Sequence, residues 1–222
     1  MKPASLPFSD NKPIFIAVEG NIGAGKSRLA QRIAERIEAT ALLEQAGSNP
    51  FLDDFYRQPE QHAFPTQLHF LFARNKLNLQ VQEGHLFENR FVADYLIDKE
   101  LLFASVNLSE QEYQLYKQVY DSMAIDTIKP DLVIYLQTSV AHCRQKLREN
   151  RPKQQRLISD EYLSRMNDAY TRFFHFYDDS PLLIVNASDI DLDDDAEFEA
   201  FFEALGGHTH GRSYYNPMPI AI

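Results

Sequence analysis

Gly20, Gly25, Lys26 and Ser27 stand at the spacing G-x-x-x-x-G-K-S inside the stretch FIAVEGNIGAGKS. Glycines at those positions let successive backbone N–H groups curl round a phosphate chain, and a helix starting there adds the positive end of its dipole. A lysine in such a loop neutralises β- and γ-phosphates, and the neighbouring serine hydroxyl suits Mg²⁺. The run Gly20, Asn21, Ile22, Gly23, Ala24, Gly25, Lys26 and Ser27 is therefore read as a loop that binds a nucleoside triphosphate. Two carboxylates follow, Glu44 closing ALLE and Asp94 closing RFVAD. In an open parallel sheet, ligands sit outside the carboxyl ends of the strands. A carboxylate there can take a proton from an acceptor hydroxyl or hold the water shell of a metal. Gln67 lies in FPTQLHFLF, and its amide offers a donor and an acceptor in one plane, as the edge of a planar base requires. Phe64, Phe70 and Phe72 are near enough in sequence to sandwich a ring. Aromatic residues at helical spacing are ordinarily core, so these residues alone favour packing, with Gln67 facing solvent.

The elements that must hold these groups are legible from periodicity. Apolar runs at residues 13–19, 41–44, 90–94, 131–137 and 182–187 read as five strands. Helical spacing covers residues 27–39, 59–82, 95–104, 109–125, 140–149, 160–178 and 194–205. Apolar strands alternating with helices predict an α/β fold, a parallel sheet covered on both faces. Residues 13–205 form one domain in this reading, flanked by an N-terminal tail at 1–12 and a C-terminal tail at 206–222.

Composition narrows the ligand class. Of the 222 residues, 44% are hydrophobic and 24% charged, the balance of an ordinary globular protein, and the net charge of -10 repels nucleic-acid backbones and anionic membranes. A small-molecule ligand fits better. One cysteine, Cys143, excludes an internal disulfide and suits a reducing compartment, and no secretion signal or long apolar run is present, so the expected location is cytoplasmic.

EGNIGAGKS, LLEQAGSNPFLDDFY, FPTQLHFLFAR and ADYLIDKELLFA together resemble the deoxynucleoside kinase family, particularly its bacterial deoxyadenosine and deoxyguanosine kinase branch. The resemblance runs from about residue 13 to residue 191. It implies a P-loop kinase fold with a five-stranded parallel sheet, a homodimer, and a lid of arginines closing over ATP. It also implies roles. Glu44 would be the general base on the nucleoside 5′-hydroxyl, Tyr56 would bond the sugar 3′-hydroxyl, and Gln67 would read the base. Arg74 would steady the base and the reacting carboxylate. Asp94 joins Ser27 at the metal and borders the substrate, and Arg148 and Arg151 belong to the lid, near residues 148–156.

The sequence departs from the family pattern twice. The third strand usually ends in an acid–arginine–serine triplet, and here it ends in DYL, with Tyr95 at the arginine position. The lid usually carries a glutamate after its arginines, and here Gln154 and Gln155 stand there. The implied activity is ATP- and Mg²⁺-dependent phosphorylation of a deoxyribonucleoside, a purine one first. A thymidylate-kinase-like monophosphate kinase and a nucleotide-binding regulator without turnover are the alternatives.

Overall fold

The computed structural model describes residues 14–85, 89–150, 152–206 and 210–216. In chain order the elements are β1 (Ile14–Gly20), α1 (Lys26–Arg36), β2 (Thr40–Leu42), α2 (Leu52–Arg57), α3 (Pro59–His85), β3 (Arg90–Ala93), α4 (Lys99–Asn107), α5 (Glu110–Ser122), β4 (Leu132–Gln137), α6 (Val140–Asn150), α7 (Pro152–Gln155), α8 (Asp160–Phe176), β5 (Leu182–Asn186), α9 (Asp195–Leu205) and β6 (Arg212–Tyr215). All strands are parallel, in the order β2-β3-β1-β4-β5-β6.

The α/β sheet is therefore as expected, with one strand more. Residues 212–215, expected in a structureless tail, add β6 to the edge of β5. Four residues of a partly exposed edge strand carry too little periodicity to read. The tail expected at residues 1–12 lies outside the described residues.

Alternation along the strands builds two cores. Ile14, Ile16 and Val18 of β1, with Leu132, Ile134 and Leu136 of β4, pack against Leu29 and Ile33 of α1 and Phe198, Phe201 and Phe202 of α9. Ala17, Val133 and Tyr135 point to the other face, where Leu163, Met166, Tyr170 and Phe174 of α8 cover them. Two-sided burial is why these strands read as unbroken apolar runs. The segment after β1 leads to α1 on one face, and the segment after β3 leads to α4 on the other. A crevice therefore opens at the carboxyl ends of β1 and β3, the usual ligand position in such a sheet. Among the described residues no helix is long and apolar enough to cross a membrane.

Candidate active site

The loop between β1 and α1 has a fixed backbone shape. Gly23 has φ 85 and Gly25 φ 90, conformations that L side chains avoid. A Cβ on Gly23 would lie 2.7 Å from the carbonyl oxygen of Cys143 on α6, so the loop touches that helix directly. Asn21 ties the loop to α8: its amide donates to Leu163 O at 2.8 Å and to Asn167 Oδ1 at 2.7 Å, and its own Oδ1 accepts from Ile22 N. Ala24 is buried in the core under α1. Helix α1 starts at Lys26 with Gly25 at its N-cap, no side-chain cap and no acid in its first turn. Its amides and dipole are thus available to an anion. Lys26 Nζ bonds Asn21 O at 3.1 Å across the loop, and burial together with Lys99 lowers its pKa.

The two carboxylates meet at the loop. Strand β2 ends at Leu42, so Glu44 lies two residues beyond it rather than closing it, and Asp94 follows β3 directly. Asp94 Oδ1 accepts from Glu44 N at 2.6 Å, and its Oδ2 accepts from the Ser27 hydroxyl. Burial raises the Asp94 pKa, partly offset by these two donors. Glu44 Oε1 lies 2.5 Å from Arg74 Nη2. Burial opposes the Glu44 charge, but Arg74, Lys99 and Lys26 outweigh it, and the carboxyl is held below its ordinary range.

Arg74 is itself fixed from behind. It pairs with the fully buried Glu100, whose second oxygen accepts from Tyr116 Oη at 2.7 Å, and it lies 5.0 Å from the Phe70 ring centroid. This arrangement aims the guanidinium at Glu44.

A cavity of about 220 Å³ joins these groups. Ile22, Gly23, Gly25, Lys26 and Ser27 line one end, and Glu44 and Asp94 lie in its wall with Tyr56, Gln67 and Arg74. Gln67 is 2% exposed and its Oε1 has no hydrogen-bond partner. An orphaned acceptor in a buried wall fits a ligand edge rather than a solvated helix face. Of the three phenylalanines weighed as a sandwich, only Phe70 lines the cavity. Phe64 packs beside Leu71 and Tyr116, and Phe72 is exposed. Phe55, Phe103 and Tyr162 supply the other aromatic walls, from α2, α4 and α8. Helical periodicity within α3 gives no sign of those partners, which are distant in sequence.

Arg148 is exposed and borders a separate depression with Arg144 and Arg156, while Lys146 and Asn150 of the same helix reach the central cavity. Arg151 lies outside the described residues. Tyr95 is buried among Phe15, Leu42 and Phe91 and does not line the cavity. Arg90, at the start of β3, donates to Ile37 O at 3.0 Å and takes no part.

A phosphate loop opening onto a buried carboxylate and a base-sized aromatic slot defines a P-loop kinase, a phosphotransferase. The deoxynucleoside kinase family model matches residues 16–205, and the chain belongs to that family. It is 29% identical over 202 residues to the deoxyguanosine kinase of Bacillus subtilis (strain 168), covering 90% of this chain and 97% of that one. It is 26% identical over 221 residues to the deoxyadenosine/deoxycytidine kinase of the same organism, covering 95% and 98%. The deoxyadenosine kinase from M. mycoides, solved with products dCMP and a flexible dCDP bound, is 24% identical with a TM-score of 0.75. That comparison covers 87% of this chain and 100% of the other, and bears on the fold.

Proposed function

We propose that the protein transfers the γ-phosphoryl group of ATP to the 5′-hydroxyl of a deoxyribonucleoside, a purine one first, in nucleotide salvage. The observation that carries this reading is one continuous cavity with the Lys26–Ser27 loop at one end and the unpartnered Gln67 Oε1 in its wall. The deoxyguanosine kinase relative supports the purine preference.

Each group has a task. Lys26 and the α1 N-terminus grip the donor phosphates. Glu44, held ionised by Arg74, accepts the 5′-hydroxyl proton. Gln67 pairs with the base edge between Phe70 and Phe103, and Tyr56 meets the sugar. Arg148 and Arg151 are proposed to reach the phosphates when the lid closes. Ser27 and Asp94 offer hard oxygen donors at the loop end of the cavity, a set that would hold Mg²⁺. When bound, that ion would neutralise charge on the donor phosphates. A homodimer, implied by the resemblance, and the cytoplasmic location expected from the composition complete the reading, and sedimentation equilibrium measures the dimer.

The test is a panel of deoxynucleosides and their monophosphates with ATP and Mg²⁺, following ADP release. Release with deoxyadenosine or deoxyguanosine is the expected result. Release only with monophosphates, or with nothing, overturns the proposal.

A further inference from the structure

A buried cation lies beside the phosphate loop that loop chemistry does not account for. Lys99 opens α4, is 1% exposed, and lines the cavity with Lys26, Glu44 and Asp94. Its Nζ is 2.8 Å from Oε1 of Glu19, a fully buried carboxylate on β1. Three features argue against a purely structural ion pair. Glu19 already accepts from Leu96 N at 2.6 Å, Gly20 N at 3.2 Å and Tyr170 Oη at 3.0 Å, so its oxygens are served without the lysine. A lysine in the first turn of a helix meets the positive end of the dipole, and its burial removes it from water, so the placement opposes stability twice. An ammonium also carries three donor protons, of which Glu19 engages one, and the side chain borders the space beside the loop. Position 95 adds no charge to that space, because Tyr95 packs into an apolar cluster.

We propose that Lys99 is a second phosphate-neutralising cation of the transfer site, aimed by Glu19. The inference rests on the kinase reading above. In the step it serves, the bond from the γ-phosphorus to the β,γ-bridging oxygen breaks and its electron pair leaves on ADP. The bond from the 5′-oxygen to phosphorus forms, and the hydroxyl proton passes to Glu44. Lys99 gains and loses no proton. It donates hydrogen bonds to phosphoryl oxygens while their charge is redistributed.

Lys99→Met alone strands Glu19 as an uncompensated buried charge and invites unfolding. The decisive protein is the double variant Glu19→Gln/Lys99→Met, which removes both charges and keeps a carbonyl for Leu96 N–H. It is expected to give a circular dichroism melt near that of the parent, with kcat lower by about 10²–10³-fold, the loss typical of one transition-state donor. The KM for nucleoside should change little. A folded double variant with near-parental kcat, or one whose loss lies in nucleoside KM alone, overturns the proposal. Lys99→Arg supplies a second arm that keeps the charge. It should retain most of kcat, and a folded Lys99→Arg protein without turnover also overturns the assignment. Failure of the kinase reading shows separately, as absence of ADP release from the parent protein with every deoxynucleoside.

Discussion

Glu44, the proposed general base, is the residue whose role depends most on its neighbours. It is a carboxylate in a wall where burial alone would neutralise it, kept charged by Arg74, Lys99 and Lys26. Glu44→Gln preserves size and an acceptor but cannot take a proton. Turnover is expected to fall by ~10²–10⁴, the usual contribution of a general base, with little change in ligand affinity. A loose transition state needs the hydroxyl proton removed late, which favours the lower end of that range. Asp94 is the competing base, and Asp94→Asn measured on the same substrate decides between them. A near-parental rate for Glu44→Gln transfers the role to Asp94. Gln67 makes a second test. With its Oε1 unpartnered in the wall, Gln67→Ala should weaken nucleoside binding by about 1–3 kcal/mol while ATP binding stays nearly intact. Equal weakening of both ligands in calorimetric titrations would mark the residue as structural. Glu44, Asp94, Tyr56, Gln67 and Arg74 were legible because residue types at fixed intervals matched a family pattern. Glu19, Lys99 and Glu100 were not, because charged residues beside a loop or at a helix start are ordinarily solvated, and only partners distant in sequence hold them in the interior: Tyr170 of α8 and Lys99 at Glu19, Arg74 of α3 and Tyr116 of α5 at Glu100.

Elements were legible in proportion to their periodicity. The five strand runs and the helices at 59–82, 160–178 and 194–205 reappear as β1 to β5, α3, α8 and α9, with ends shifted by a few residues. Capping explains several of those ends: Ser109, Ser159 and Asp194 each accept from first-turn amides, so α5, α8 and α9 begin one residue later than their polar starts. Short elements escaped. The six residues of α2 and the four of β6 are too few for a pattern, yet α2 brings Phe55 and Tyr56 to the cavity. The loop between β1 and α1 gives the sharpest test at this level. Gly23→Ala would force a left-handed conformation, at about 1–2 kcal/mol, and press Cβ onto the Cys143 carbonyl. The loop must then move off α6, so a lower melting temperature and weaker ATP binding should appear together. Gly47→Ala is the control, since its Cβ meets nothing within 4 Å, and it should leave both unchanged.

In the whole molecule, the sheet divides the work between two regions that share one cavity. The β1–α1 loop lines one end of it, and α2, α3 and the residues after β2 and β3 line the rest; in the proposed function the first serves phosphates and the second the nucleoside. Each ligand that binds only the folded chain stabilises it by mass action, about 2.7 kcal/mol at a hundredfold excess over Kd. For a domain of 150–250 residues that corresponds to a melting-temperature rise of roughly 5–11 °C. ATP with Mg²⁺ and a deoxynucleoside should therefore each raise the melting temperature of the parent protein. Lys26→Ala removes the loop cation proposed to offset β- and γ-phosphate charge, and it should abolish turnover and most of the ATP-induced rise. The deoxynucleoside-induced rise should survive, because Tyr56, Gln67 and Arg74 are held by α2, α3 and Glu100 rather than by Lys26. Thermal denaturation of parent and variant with each ligand separates the two regions. If both rises vanish in Lys26→Ala, the lysine supports the cavity as a whole and the division of labour fails; if both survive, the loop is not the donor site.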